Sequence, residues 1–150
     1  MTKYKSPLSV LVLIYHQISG KVLMLQRNDD QEFWQSVTGS LEEGETPYQA
    51  AIREVKEETG LDILVENLPL FNCNEAVVFE IFPQFRYKYA PNVTTVTEHW
   101  FLLAVPNLYE PKLIEHQAYQ WLSAKQAAEL TKSWNNKLII EKYLIRDKFL

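Results

Sequence analysis

The sequence predicts a sheet-rich α/β chain with one early helix and two late helices. Two observations predict it. Apolar and β-branched stretches of strand length alternate with polar turns through most of the chain. Three segments, one in the first half and two near the end, combine helix-start residues with helical spacing of apolar side chains. At 150 residues without a Pro/Gly/Ser-rich linker, the chain suits a single domain over residues 1–150.

The composition is that of an ordinary globular protein, with 47% hydrophobic and 23% charged residues. The net charge of −4 and the lack of a Lys/Arg cluster argue against binding to nucleic acid by counterion release. The only cysteine, Cys73, cannot form an internal disulfide, which fits a reducing compartment. The apolar run at 8–15 is too short to span a bilayer, and the N-terminus lacks signal-peptide features. We therefore expect a cytoplasmic protein without a membrane or nucleic-acid partner.

The first third of the chain reads as three strands. Residues 6–17 are rich in apolar and β-branched side chains and predict a buried strand. Gly20 marks a turn, after which residues 21–27 return as a second strand. A polar loop leads to a short strand over 33–39.

The middle of the chain is also predicted to be mostly extended. Residues 62–71 favour an extended segment, and 75–85 and 94–106 are the clearest strands. Between these two strands, residues 86–93 suit a long hairpin loop. A short strand is expected over 118–123.

Two helices are predicted near the end of the chain. Ser123 is a suitable N-cap for a helix over 124–131, and Ser133 for one over 134–149. The last helix should present one apolar face, formed by Leu138, Ile139, Tyr143 and Ile145.

The early helix lies in an unusually acidic segment, Gly39 to Leu61, which reads GSLEEGETPYQAAIREVKEETGL and holds six glutamates. Thr46, Pro47 and Gln49 are the residues of a capped helix start, because Thr46 and Gln49 form a capping box and proline suits the first helical position. Gly60 is a natural left-handed stop. We therefore predict a helix over 47–59.

Helical spacing places Glu54, Glu57 and Glu58 on one face of this helix. Like charges at this spacing repel, and the helix dipole disfavours anions in the last turn. Three carboxylates that converge at this end would suit a hard cation such as Mg²⁺ or Mn²⁺. The alternative is a solvated, acidic helix face without a ligand.

The complete pattern decides between these alternatives. Gly39 is followed after five residues by Glu45, and after seven more by REVKEETGL (53–61). This arrangement resembles the Nudix box at all nine of its defined positions. The resemblance implies the Nudix fold, an α+β fold in which a mixed β-sheet is flanked by helices as an α/β/α sandwich. It also implies a hydrolase that acts on a nucleoside diphosphate linked to another group.

The resemblance also implies roles for individual residues. Glu54, Glu57 and Glu58 would be ligands of Mg²⁺, with Mn²⁺ as a substitute. Arg53 would orient a carboxylate by pairing with it, and Gly39 would turn its backbone carbonyl toward the metal. Glu45 would shape the loop rather than bind metal.

A general base or a further metal ligand is still needed. In this family it can come from a glutamate in a later loop, and Glu115 is our candidate for either role. The alternative is that Glu115 is an ordinary acidic residue of a loop. Glu98, in the middle of a predicted strand, is the second candidate. The three histidines have no metal-ligand spacing and are expected to be structural.

The flanks of the box bear on the substrate. The segments at 21–27, 33–46 and 130–137 resemble those of the bacterial dihydroneopterin triphosphate pyrophosphatases, a group of folate-synthesis enzymes within the family. This resemblance implies removal of pyrophosphate from 7,8-dihydroneopterin 3′-triphosphate. One alternative is a pyrophosphohydrolase of NTPs or dNTPs such as dATP. Another is a Nudix-fold module that binds nucleotide without turnover.

A triphosphate on a flat ring requires cations for the phosphates, polar groups for the ring edge and apolar walls for its faces. Lys5 and Arg27 flank the first strands, and the amides that follow Ser133 can hold an anion. Trp34 is a further stacking candidate. The alternatives are that Arg27 is a surface cation, that Ser133 is only a helix cap and that Trp134 is a core aromatic. The candidate substrate contacts are Lys5, Arg27, Thr38, Phe82, Ser133 and Trp134.

Overall fold

A computed structural model of the chain describes residues 4–114 and 116–145. Within this part it contains seven strands, three α-helices and one 3₁₀ helix. The strands are β1 Leu8–His16, β2 Val22–Arg27, β3 Trp34–Gln35, β4 Val37–Ser40, β5 Leu70–Glu80, β6 Thr95–Val105 and β7 His116–Leu122. The α-helices are α1 Pro47–Thr59, α2 Ala124–Leu130 and α3 Trp134–Leu144, and the 3₁₀ helix is Pro83–Lys88.

The strands form one mixed sheet, as predicted. Its main path runs β3-β2-β1-β6-β5, with β4 paired to β1 and β7 paired to β2. Only β1 and β6 run parallel among the described strands, from Leu8 opposite Thr97 to His16 opposite Val105. Residues 10–14 of β1 are at most 1% exposed, because this central strand is covered on both faces.

Helices cover both faces of the sheet, which confirms the α/β/α sandwich. Val10, Val12 and Ile14 pack on one face with the buried side of α1. Leu11 and Leu13 alternate to the other face, where they meet α2 and α3. The sheet therefore separates α1 from the two late helices.

The predicted start and stop of α1 are confirmed. Thr46 accepts a hydrogen bond from the backbone of Gln49, and the Gln49 side chain accepts one from the backbone of Thr46, so that the capping box is complete. Gly60 has φ of 80° and ends the helix in the left-handed conformation. Helix α1 thus begins beside the loop that follows β4.

The single strand predicted over 33–39 is wrong. Two short strands occupy this segment, and they pair with different neighbours, β3 with β2 and β4 with β1. The change of partner occurs at Ser36, whose backbone N–H donates to Asn136 Oδ1 over 2.8 Å. A side chain from α3 therefore replaces the strand partner at this residue.

Two boundaries in the middle of the chain also differ from prediction. Asp62 accepts hydrogen bonds from the backbone of Leu64 and Val65, so a turn begins where extended chain was expected. Strand β5 therefore starts only at Leu70. It ends at Glu80 rather than at 85, and Pro83 opens a 3₁₀ helix because proline cannot donate to a strand ladder.

Both late helices begin at their predicted serine caps. On α3, Ile139 and Ile140 are buried, whereas Leu138 is 41% exposed. The prediction of Leu138 in the buried face is therefore wrong, because the sheet contacts the next two positions. Helix α3 ends at Leu144, and the predicted helical residues 146–149 lie outside the described residues. Within the described chain, the helices are all too short or too polar to cross a membrane.

Candidate active site

Arg53 organises the start of the candidate site. Its Nε donates to Glu45 Oε2 over 2.7 Å, and its Nη1 lies 2.7 Å from Glu54 Oε1 and 3.1 Å from Glu57 Oε2. Its Nη2 donates to the carbonyl oxygen of Ser40 over 2.9 Å. One guanidinium therefore joins α1 to the end of β4. These hydrogen bonds, chiefly the one to Glu45, raise the pKa of Arg53 above its already high ordinary value.

Glu45 holds the loop between β4 and α1. Its Oε1 accepts a hydrogen bond from the backbone of Glu42, while Arg53 binds the same carboxylate. The hydrogen bond from Arg53 lowers the pKa of Glu45, so that it remains an anion. This geometry is that of the loop-shaping role that the sequence suggested.

Gly39 and Glu54 are in close contact. A Cβ atom added to Gly39 would overlap the carboxylate of Glu54. Glycine therefore leaves the space that this carboxylate occupies beside the backbone of β4.

The three predicted metal ligands are not equivalent. Glu54 is 7% exposed and Glu58 is 1% exposed, but the side chain of Glu57 is 46% exposed. Among the described residues, no three His, Cys, Asp or Glu side chains lie close enough together to form a cation site. Arg53 pairs with both Glu54 and Glu57. The role of the three glutamates as metal ligands stays a prediction. Glu115 lies outside the described residues.

The donor atoms nevertheless fit a hard divalent cation. Glu54 and Glu58 supply buried carboxylates, and the carboxylate of Glu54 lies against Gly39 at the end of β4. Oxygen ligands of this kind are those that Mg²⁺ and Mn²⁺ prefer. His116 Nε2 lies 3.7 Å from Glu58 Oε1. Burial lowers the pKa of this histidine to about 4, so that it is neutral at pH 7.

A cavity of about 430 Å³ lies beside these carboxylates. Glu58 and Gly39 reach its wall, and α3 contributes Ser133, Asn135 and Asn136. The volume suits a small ring system. Its lining differs from one end to the other, from buried polar groups to cations that are half-buried or exposed.

Glu98 lies at the buried end and is 2% exposed. Its Oε1 accepts hydrogen bonds from Asn135 Nδ2 over 2.6 Å and from Trp100 Nε1 over 3.3 Å. Its Oε2 lies 3.5 Å from Thr38 Oγ1, which donates over a shorter distance, 2.9 Å, to the carbonyl of Val10. Burial raises the pKa of Glu98 to about 7, although these hydrogen bonds oppose the shift.

Ser9 lies directly beside Glu98, because the two residues are opposite each other in the parallel pair of β1 and β6. The serine is 5% exposed and lines the cavity. Among the described residues, its hydroxyl has no hydrogen-bond partner. A buried hydroxyl without a partner is costly, which marks this end of the cavity as a place for a polar ligand.

The first turn of α3 holds Asn135 in position. Ser133 Oγ accepts hydrogen bonds from Asn136 and contacts Asn135 Oδ1, while Asn135 Nδ2 faces Glu98. The Ser133 hydroxyl, predicted to contact substrate, lines the cavity but is engaged in these contacts within α3.

Cations lie at the more exposed end of the cavity. Arg27 forms a two-atom ion pair with Asp29, over 2.7 and 2.8 Å, and Lys88 Nζ lies 3.4 Å from the same carboxylate. These cations, Arg27 foremost, hold the pKa of Asp29 well below its usual range. Lys5 lines this end as well.

Aromatic rings form one wall of the cavity. Phe33, Phe82 and Phe85 meet edge to face, with ring centroids 5.6 to 6.3 Å apart. The guanidinium of Arg27 lies 4.3 Å from the centre of the Phe85 ring. Stacking and the ion pair with Asp29 together fix the position of Arg27.

A second groove, of about 640 Å³, contains the other part of the acidic segment. Arg53, Glu54 and two glutamates of the loop, Glu42 and Glu43, line it. Four residues line both the groove and the cavity: Lys5, Thr38, Gly39 and Ser40. The end of β4 is therefore the boundary between them.

The structure brings most of the predicted substrate residues together. Lys5, Arg27, Thr38, Phe82 and Ser133 all line the cavity. Trp134 is not among the described residues that line the cavity or the groove. It is 48% exposed and lies against Phe79. Trp34 packs in the core beside α2 and α3. The structure therefore does not support stacking by either tryptophan.

Several lining residues were not predicted. Asp29 and Lys88 join the cation group, and Ser9 and Asn135 join Glu98. The sequence did contain a signal for the contact between Glu98 and Asn135, because Val96, Glu98 and Trp100 alternate to one face of a strand and Asn135 follows a helix cap. Their meeting depends on the packing of α3, which no local pattern contains.

Comparisons with known proteins agree with this geometry. The NUDIX domain model matches residues 5–143. The chain is 56% identical to a dihydroneopterin triphosphate diphosphatase of Escherichia coli strain K12 over 142 residues, 95% of each chain. It is also 56% identical to the Haemophilus influenzae protein of that name over 144 residues, 96% of this chain and 91% of the other. A solved structure of the E. coli dihydroneopterin triphosphate pyrophosphohydrolase superposes with a TM-score of 0.94 at 55% identity, and covers 97% of this chain and 99% of that one. The chain thus belongs to the NUDIX family.

Proposed function

We propose that the chain hydrolyses 7,8-dihydroneopterin 3′-triphosphate to the monophosphate and pyrophosphate, a step of folate synthesis. Water adds to phosphorus, and the anhydride bond between the first and second phosphates breaks. The E. coli and H. influenzae relatives are named for this substrate, and they match this chain over nearly its whole length. The proposal transfers that activity to this chain.

The main structural support for this proposal is the boundary that the cavity and the groove share. Thr38, Gly39 and Ser40 line both, so a ligand whose ring lies in the cavity can extend its phosphates past β4 to the carboxylates of α1. A substrate that combines a small ring with a phosphate chain fits this arrangement. A ring alone or a phosphate alone would fill only one part.

The carboxylates of α1 cannot hold a polyphosphate unaided, since like charges repel. NUDIX hydrolases require a divalent metal, and we propose Mg²⁺, with Mn²⁺ as a substitute, held by Glu54, Glu58 and the Gly39 carbonyl. The exposed Glu57 and Glu115 are further candidate ligands, and Glu115 is also a candidate base. When bound, the metal supplies positive charge that neutralises phosphate oxygens and lowers the pKa of water.

Residues of the chain provide the remaining functions. Arg53 holds Glu54 and Glu57 and ties them to Ser40, so that the carboxylates are positioned before substrate binds. Lys5, Arg27 and Lys88 place positive charge at the exposed end of the cavity. The three phenylalanines exclude water from one wall.

A nucleoside triphosphate pyrophosphohydrolase is the second candidate. The observation that favours it is the size and polar lining of the cavity, because a purine is a fused ring of similar size whose edge also carries donors and acceptors. Activity toward dATP or dGTP would therefore accompany the pterin activity at a lower kcat/KM.

Release of pyrophosphate with Mg²⁺ tests the proposal. The substrates are dihydroneopterin triphosphate and the eight common NTPs and dNTPs, each compared by kcat/KM. We expect the pterin to exceed every nucleotide. A nucleotide whose kcat/KM exceeds that of the pterin by orders of magnitude would refute the pterin assignment. Binding without turnover of any substrate would refute the proposal that the protein is an enzyme.

We also propose that residues 1–150 form one catalytic domain that works in the cytoplasm. A single sheet with a core on each face supports the first point. The lone thiol, Cys73, supports a reducing compartment.

A further inference from the structure

The buried end of the cavity has a specific arrangement of donors and acceptors. Ser9 and Glu98 lie side by side on β1 and β6, and Asn135 reaches Glu98 from α3. All three are at most 5% exposed, and all three line the cavity. Polar side chains converge here from three elements, at a depth where an unsatisfied group is costly.

The two oxygens of Glu98 differ. Oε1 accepts from Asn135 and Trp100. Among the described residues, the one contact of Oε2 is that of 3.5 Å with Thr38, whose hydroxyl donates to Val10. Oε2 therefore retains the capacity to accept from a ligand. The hydroxyl of Ser9, which has no partner among the described residues, supplies a donor beside it.

The side of the sheet on which Glu98 lies also matters. Val96, Glu98 and Trp100 point to one face, and Trp100 packs in the core beside α2 and α3. Phe101 points to the other face and packs in the core beside α1. The carboxyl of Glu98 therefore belongs to the α3 side of the sheet, away from the core beneath the α1 carboxylates.

We propose that Glu98 and Ser9 select the heterocycle of the substrate by its hydrogen-bonding edge, with Asn135 positioning Glu98. Glu98 Oε2 accepts from the ring N–H that lies beside the exocyclic amino group, and the serine hydroxyl donates to the neighbouring carbonyl oxygen. Pterins and guanine carry this edge. Adenine does not, because it presents a lone pair on the ring nitrogen next to its amino group. The inference rests on the proposed function, since it assigns the ring-binding end of that same site.

The raised pKa of Glu98 agrees with this role. In the part of the chain that the structure describes, the hydrogen-bond partners of Glu98 are all uncharged. A carboxyl buried in this way destabilises the fold, and such groups concentrate at functional sites. An apolar residue would fill the same space at lower cost if the position served packing alone.

Selectivity measurements on Glu98→Gln test the proposal. Glutamine retains the shape but turns an acceptor into a donor, which opposes an N–H of the ring. We expect kcat/KM to fall about 10- to 100-fold for dihydroneopterin triphosphate and dGTP, the range for a lost charged hydrogen bond. For dATP, it should change less than about threefold. Glu129→Gln, at an exposed position on α2, is the matched control and should leave all three values unchanged.

Ser9→Ala provides a second, independent variant. Removal of a buried hydroxyl that has no partner in the described chain should leave stability unchanged or raise it. We expect kcat/KM for the pterin and dGTP to fall nevertheless. Calorimetric titration of each variant with neopterin, guanosine and adenosine gives the same comparison without turnover, and the loss of affinity should be confined to the first two.

Two results would overturn the inference. The first is an equal loss of kcat/KM for all substrates in Glu98→Gln, which is expected of a general base or of a structural defect. The second is an unchanged ratio of dGTP to dATP in both variants. A wild-type enzyme that prefers dGTP to the pterin would refute the proposed function alone, because the dGTP to dATP ratio would still test the inference.

Discussion

The carboxylate of Glu54 occupies the space that a side chain at Gly39 would need. The contact joins the third turn of α1 to β4, and Arg53 reinforces it through its bonds to Glu54 and to Ser40. The atoms in conflict would be the end of a flexible side chain rather than backbone. A side chain added at Gly39 would therefore displace the carboxylate more readily than it would disrupt the fold.

Gly39→Ala should separate activity from stability. We expect the free energy of unfolding to change by less than about 1 kcal/mol, because the Glu54 side chain can rotate away. We expect kcat to fall about 100-fold, because a carboxylate displaced by about 1 Å no longer positions the reacting groups. Urea unfolding and pyrophosphate release measure the two effects.

Gly20→Ala is the matched control for this prediction. Gly20 has φ of 74° in the turn between β1 and β2, with no atom within 4 Å of an added Cβ. Here backbone strain should lower stability by about 1 kcal/mol while kcat stays unchanged. A loss of stability without loss of kcat in Gly39→Ala would contradict the role assigned to Glu54.

Arg53→Lys tests whether pairing positions the carboxylates. Arginine binds Glu45, Glu54, Glu57 and the Ser40 carbonyl at once, and a lysine ammonium cannot reproduce this planar set. We expect the Mg²⁺ concentration for half-maximal activity to rise about 10- to 100-fold, the range for groups that orient metal ligands. A magnesium titration of initial rates measures it.

Lys56→Ala controls for the loss of a cation from the same helix. The side chain of Lys56 is 64% exposed and pairs with Asp62 over 3.2 Å. Exposed pairs contribute little, so stability should change by less than about 0.5 kcal/mol. An equal shift of the Mg²⁺ requirement in both variants would show that overall charge, not the geometry of Arg53, is responsible.

Local patterns predicted α1 well because its signals lie within the helix. The Thr46 and Gln49 capping box, Pro47 and Gly60 fixed its ends, and these interactions span at most four residues. The burial of Glu58 and exposure of Glu57 were not predictable in this way. They depend on which side of the helix meets the sheet.

The cavity was harder to predict because its residues come from distant parts of the chain. Ser36 changes its partner because Asn136, 100 positions later, accepts its N–H. The same helix start brings Asn135 to Glu98, 37 positions away. Alternation along β6 indicates a shared face for Glu98 and Trp100, but not what that face meets.

Glu58→Gln tests the most buried carboxylate of the helix. Glu58 is 1% exposed, and the neighbouring His116, with a pKa of about 4, is neutral at pH 7. The amide keeps the shape, so we expect the fold to persist. kcat should fall more than about 100-fold, beyond the effect of residues that only orient ligands. Turnover that remains normal, with an unchanged Mg²⁺ requirement, would exclude Glu58 as a ligand.

Glu98 should make the stability of the protein depend on pH. Its pKa is about 7 in the folded chain, against 4.5 for an unperturbed glutamate, because burial disfavours the charged form. Between these values the folded state binds more protons than the unfolded state, so stability falls as pH rises. A pKa shift of this size lowers the free energy of unfolding by an amount on the order of 3 kcal/mol, and the loss is complete above a pH of about 8.

Comparison with Glu98→Gln isolates this contribution, because the amide does not titrate. We expect the wild type to lose stability relative to the variant as pH rises from 4.5 to about 8, measured by urea unfolding at intervals of pH. Glu129→Gln should follow the wild type throughout, since its position is exposed. Parallel curves for the wild type and Glu98→Gln would mean that the carboxyl ionises at an ordinary pKa, and the burial argument would then fail.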